Sequence, residues 1–187
     1  MIRDSYFNNE ELKNLGLKKI GINVKISRNC SIYSPETIEL GNNVRIDDFC
    51  ILSGNIKIHS YVHIAAYCSL FGSGGIEMKE FSGLSSRVSI YSASDDYSGE
   101  FLTGPCIPNH YRKVTIGKVI LEKHSLVGTG STILPGVKLA IGSVLGSMSL
   151  LNKNTEDWKI FAGIPAKAIK DRKNDLLQLE NKLKNNI

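Results

Sequence analysis

Histidine, the residue type that most readily exchanges a proton near neutral pH, occurs four times in this sequence, as His59, His63, His110 and His124. His59 and His63 stand four apart, a spacing that suits a shared metal ion, but no third ligand stands at a comparable place. The four cysteines (Cys30, Cys50, Cys68 and Cys106) contain no C-x-x-C pair. Metal and redox chemistry therefore lack support, and no metal is expected. A second group of reactive residues is packed into one stretch, YSASDDYSGEFLTGPCIPNHYRK, from Tyr91 to Lys113. It holds the adjacent carboxylates Asp95 and Asp96 together with His110. Paired aspartates in loops ordinarily cap turns, whereas a carboxylate raised by burial can take a proton. His124, in LEKHSLVG, is either a proton-transfer group or a turn residue. The forked donors of Arg87 suit a diphosphate as readily as a surface carboxylate.

Something regular must hold these residues in place. Aliphatic residues recur six apart at Ile20, Ile26, Ile32 and Ile38, restart at Leu40, and run through Ile46, Leu52, Ile58, Ile64 and Leu70 to Ile76. A further shift gives Met78, Leu84 and Ile90, and after the irregular stretch come Leu121, Val127, Ile133, Leu139, Leu145 and Leu151. Neither a helix nor a simple strand produces this spacing; hexads are the mark of a parallel β-helix, in which three short strands make one triangular coil. Small residues two places before the aliphatics, including Val44, Cys50, Val62, Cys68 and Val88, are expected inside as well. Cys30, Cys50 and Cys68 are expected to stack along one edge as core filler.

The hexads divide the chain into an N-terminal helical cap (1–17), a β-helix (18–165) and a C-terminal helical extension (166–187). NNEELKNLG carries the asparagine cap, acidic first turn and closing glycine of a short helix, and Leu176, Leu179 and Leu183 form one helical stripe near the end. The segment 92–113 breaks the rhythm. An excursion of that length inside a compact repeat is usually functional, and Tyr91, Tyr97, Phe101 and Tyr111 give it apolar anchors. The 187 residues suit one domain, and the net charge of +5 is scattered until the final segment, which disfavours nucleic acid as a partner. No stretch approaches the roughly 18 apolar residues of a membrane span. The first residues lack the apolar centre of a signal peptide, so a cytoplasmic location with reduced thiols is expected.

With the hexads in place, VGTGSTILPGV (Val127 to Val137) and FAGIPAKAIKDR (Phe161 to Arg172) carry a resemblance to the left-handed parallel β-helix acyltransferases that use acetyl-CoA. The similarity is strongest to the branch containing galactoside and maltose O-acetyltransferases. The region from Val88 to Ser131 also resembles a subgroup from O-antigen and capsule gene sets that acts on nucleotide-linked amino sugars. The resemblance implies an all-β, left-handed β-helix, a homotrimer, and grooves between adjacent prisms where coenzyme and acceptor meet beside the loop. It implies coenzyme contacts at Thr129, Ser147, Asn152, Ala162, Gly163 and Lys167, with Met148 standing where glycine is usual. The O-acetyltransferases place a base histidine just after the strand that enters the loop; here Asp95 stands there.

That replacement favours an amine acceptor, whose neutral fraction already carries a nucleophilic lone pair. The implied reaction is acetyl transfer to a nucleotide-linked amino-deoxysugar such as dTDP-4-amino-4,6-dideoxyglucose, for O-antigen or capsule synthesis. His124 and Asp95 are the catalytic candidates, and Arg87, Asp96 and His110 the acceptor contacts. The alternatives are O-acetylation of a saccharide hydroxyl, a γ-carbonic-anhydrase-like metal protein and a scaffold without chemistry.

Overall fold

A computed structural model of the chain describes residues 5–186. The hexads wind into a three-sided parallel β-helix in which each aliphatic stacks on its counterpart one coil away. On the first face the register runs from Ile26 through Ile46, Ile64 and Leu84 to Val127, Leu145 and Phe161, all buried. The second face stacks Ile32, Leu52, Leu70, Ile90, Ile133 and Leu151. The third stacks Leu40, Ile58, Met78, Leu121 and Leu139. Each fully buried aliphatic contributes about 1.5–3 kcal/mol of transfer free energy. A one-residue slip would turn the whole column outward, so the register is strongly fixed.

The corners follow from the small residues. Val44, Cys50, Val62, Cys68 and Val88 are at most 1% exposed. The thiols of Cys30, Cys50 and Cys68 lie along one edge, against the carbonyls of Asp47, Ala65 and Ser85. The adjoining Cys50 thiol and burial together push the Cys30 and Cys68 thiols upward, which makes them unreactive. Cys106 is exposed on the loop.

Each turn from the third face to the first passes through a left-handed residue, among them Asn43, Tyr61, Phe81, His124, Gly142 and Trp158. Bulky residues adopt that conformation at a cost, which ring stacking offsets here. Tyr61 lies on Phe81 at 4.8 Å between ring centroids, and Phe81 on His124 at 5.2 Å. Gly142 is the gap that lets the ladder continue, because a Cβ there would stand 2.4 Å from the Trp158 ring. Gly142→Ala therefore lowers stability by about 2 kcal/mol or more, seen as a lower denaturant midpoint at unchanged slope.

Both ends of the prism are closed. Helix α1 (Asn9–Asn14) has a capping box: the Asn8 side chain accepts from the Glu10 and Glu11 amides, and Glu11 accepts from the Asn8 amide. Leu12 points into the core. At the other end the expected helical extension does not begin at residue 166. Ala166–Asp171 is instead a strand antiparallel to Lys159–Gly163, and only Leu176–Asn185, helix α2, is helical. The physical reason is the open sheet edge left by the last coil, whose backbone donors and acceptors need partners. No helix among the described residues is long and apolar enough to cross a membrane.

Candidate active site

The irregular stretch leaves the prism at the corner between the second and third faces as a hairpin of Ala93–Asp95 and Val114–Ile116. Ser92 fastens its base: the buried hydroxyl donates to the Phe71 carbonyl and accepts from the Gly74 amide, while the Ser92 carbonyl accepts from the Gly117 amide. Gly74 has to be glycine, since a Cβ would lie 2.4 Å from the Ser92 carbonyl oxygen. This anchoring makes the loop an ordered platform.

Asp95 sits on the ridge of that platform. It lines a cavity of about 700 Å³ on the side of the earlier coils and one of about 760 Å³ on the side of the later coils. One carboxylate oxygen accepts a long bond of 3.3 Å from the Gly104 amide, and the other has no hydrogen-bond partner among the described residues. Asp96 differs, because its Oδ2 accepts from both the amide and the hydroxyl of Ser98, the geometry of a turn former. Asn152 lies on the larger cavity with Asp95 and Asp96. His110 packs against Tyr111 at the loop surface, and lines neither cavity.

A third hollow, of about 720 Å³, runs over the first face. Its floor includes His63, Gly83 and Leu126, one wall is the Tyr61–Phe81 stack, and the other carries Ser85, Gly128 and Thr129. From Ile64 onward the residue after each inward residue of this face is small, giving a track of Ala65, Ser85, Gly128, Gly146 and Ala162. A Cβ on Gly128 would stand 2.5 Å from the Ser147 amide, and one on Gly146 2.9 Å from the Ala162 Cβ. At coil spacing the step from Ser85 to Ala162 covers about 14 Å. Thr129 and Ser147 stand exposed beside it, and Gly163 and Lys167 lie on the hairpin that ends it. The sulfur of Met148 lies where a Gly130 side chain would be. Arg87, at a neighbouring corner, lies over the Tyr67 ring at 6.0 Å.

His63 is held at 2.7 Å by Asp47, which also accepts from Arg45 and Tyr6. Burial alone would raise the Asp47 carboxyl, but the bonds from His63 and Arg45 outweigh it and lower it. His59 bridges Glu77 and Glu80 instead. No group of three or more ligating side chains among the described residues is placed to hold a metal.

The expectation of a catalytic His124 meets a different environment. His124 is 6% exposed, is stacked on Phe81, and its Nε2 lies 2.7 Å from Glu180 on helix α2. Arg172 donates to its carbonyl. It shares no cavity with Asp95. Buried under α2 and tied to a carboxylate, it serves as a corner and docking residue. Burial would raise the Glu180 carboxyl, but bonds from Lys123, Lys184 and His124 bring it down to about 2. Its stabilising contribution is thus present above its ordinary value of 4.5 and is lost as pH falls to about 2. The melting temperature of the wild-type protein should fall across that window, and that of Glu180→Gln should start lower and change less.

Comparison with known proteins resolves what the geometry belongs to. The chain is 43% identical over 183 residues to a dTDP-4-amino-4,6-dideoxy-D-glucose acyltransferase of Escherichia coli, covering 96% of this chain and 95% of that protein. The chain belongs to this acyltransferase family. Within the family's fold, AntD, an N-acyltransferase from Bacillus cereus, has been solved in complex with dTDP and 3-hydroxybutyryl-CoA. It is 49% identical, with a TM-score of 0.97 over 98% of each chain. A maltose O-acetyltransferase from Clostridium difficile 630, 18% identical with a TM-score of 0.63 over 93% of this chain and 80% of its own, shares the fold. No family model matches the chain.

The family's enzymes are acyltransferases, and sequence reasoning passed over one residue that the track singles out. Ser85 hides in LSSRVSI as one more corner serine. Its signal was positional: it follows the inward Leu84 as Gly128 follows Val127 and Gly146 follows Leu145.

Proposed function

We propose that the chain transfers the acetyl group of acetyl-CoA to the amine of a nucleotide-linked amino-deoxysugar of the dTDP-4-amino-4,6-dideoxyglucose kind, and that it does so as a homotrimer. The observation that carries this reading is the half-buried Asp95 carboxylate, on a ridge between two cavities with one oxygen unpartnered. A carboxylate so placed accepts a hydrogen bond from an amine and stabilises the positive charge that grows on nitrogen as it attacks the thioester carbonyl. The carbon–nitrogen bond forms, the carbon–sulfur bond breaks, and the proton released from nitrogen balances the departing thiol. AntD supports the same assignment, for it has been solved with dTDP-4-amino-4,6-dideoxyglucose and coenzyme A, and its solved variants alter a serine and an aspartate ten positions apart. Ser85 and Asp95 of this chain have that spacing.

The track from Ser85 to Ala162 fits an extended coenzyme arm, since no side chain along it is larger than that of serine and its first part lines the hollow over the first face. Ser85 and Asp95 lie at different corners of one prism, with the second face between them. They form one site when the loop of one subunit meets the track of the next, and this is why we infer a trimer. The product is an amide on a nucleotide sugar, a donor suited to glycosyl transfer during O-antigen or capsule assembly. The test is thiol release with acetyl-CoA and dTDP-4-amino-4,6-dideoxyglucose, against the same nucleotide sugar carrying a hydroxyl at C4. Turnover with the amine at least about a hundredfold faster is expected; faster turnover of the hydroxyl would overturn the reading.

A further inference from the structure

We propose that the cavity of about 700 Å³ on the side of the earlier coils is the berth of the acceptor, and that Arg112 takes its diphosphate. This rests on the nucleotide-sugar reading above and adds the residue that recognises the anion. Arg112 lines the same cavity as Asp95 and is partly buried. Its guanidinium is fixed: Nε and Nη2 donate to the Asn109 side-chain oxygen at 3.3 and 2.8 Å, and Nη1 donates to the Gly104 carbonyl at 3.1 Å. The partners are neutral, and no carboxylate lies within ion-pair distance of Arg112 among the described residues. A cation held in place by neutral acceptors keeps its full charge for an anion from outside.

The two charges of the cavity are spaced by one residue. The Gly104 amide donates to Asp95 while the Gly104 carbonyl accepts from Arg112, so carboxylate and guanidinium face the same hollow without neutralising each other. A 4-amino sugar linked through C1 to a diphosphate offers the matching pair, an amine and an anion on opposite sides of one pyranose ring. Without a cation there, the diphosphate would meet the field of Asp95 unopposed. The cavity on the other side of Asp95 contains Asn152, and that side is left for the coenzyme. Coenzyme A also carries a diphosphate, so the anion chemistry alone does not distinguish the two ligands.

Calorimetric titration of the full-length protein with thymidine diphosphate, and separately with coenzyme A, distinguishes them. Arg112→Gln should weaken thymidine diphosphate binding by about tenfold or more and leave coenzyme A within about twofold, with Arg112→Lys in between. Asn109→Ala, which frees the guanidinium without removing its charge, should weaken the nucleotide several-fold, and it decides the matter if Arg112→Gln fails to fold. Unchanged nucleotide affinity in these variants, or a loss confined to coenzyme A, would overturn the role of Arg112 while the acceptor reading stands. A wild-type protein that acylates amines but does not bind thymidine diphosphate would overturn both.

Discussion

Replacing Asp95 by alanine should lower kcat by about a hundredfold or more while the affinity for acetyl-CoA stays within about twofold of wild type. The carboxylate stands on the ridge between two cavities with an oxygen to spare, so its loss removes the carboxylate of this loop that lines both cavities. Asp95→Asn should retain part of the rate, because the amide oxygen still accepts a hydrogen bond but carries no charge to oppose the developing ammonium. Neither change touches the core, since Asp95 projects from a hairpin whose base is fastened by Ser92 and Gly117. Steady-state rates together with calorimetric coenzyme binding separate this outcome from simple unfolding, which would lower both.

Filling the track should act on the other ligand. Ser85 is exposed and already has a Cβ pointing out of the first face, so Ser85→Trp adds bulk to the groove without disturbing Leu84 behind it. The substitution should raise the KM for acetyl-CoA by about tenfold or more and lower kcat as well, because the indole would stand where the arm and the acceptor converge. Nucleotide binding through Arg112 should persist. An unchanged KM would mean that the coenzyme follows another path.

Much of this architecture could be read in advance because the hexad is a physical constraint. Ile46, Ile64 and Leu84 are spaced as they are because a triangular coil returns each to the same inward column, and all three are buried there. The loop was legible for the opposite reason: its residues could not fill such a column. Within it, Asp95 stood out by standing where related enzymes have a histidine. What stayed hidden depends on contacts across the sequence. Glu180 reaches His124 over 56 positions and holds it under helix α2, and no local pattern announces that pairing. The strand at Ala166–Asp171 falls inside the expected helical extension, whose signal, the leucine stripe, begins only at Leu176, while the open edge of the last coil imposes a hairpin. Helix α2 likewise docks through buried Glu180, whereas Leu179 and Leu183 of its apolar stripe remain exposed. Asn152, expected as a coenzyme contact, lies with Asp95, across the second face from Thr129 and Ser147.

The central claim is that the loop of one subunit and the track of its neighbour make one active site. Co-assembly of Asp95→Ala chains with Ser85→Trp chains, each strongly impaired alone, tests it most directly. Random mixing into trimers leaves about a quarter of the sites with an intact loop facing an intact track, so roughly a quarter of wild-type activity should return. Mixed assemblies no more active than either parent would contradict the account.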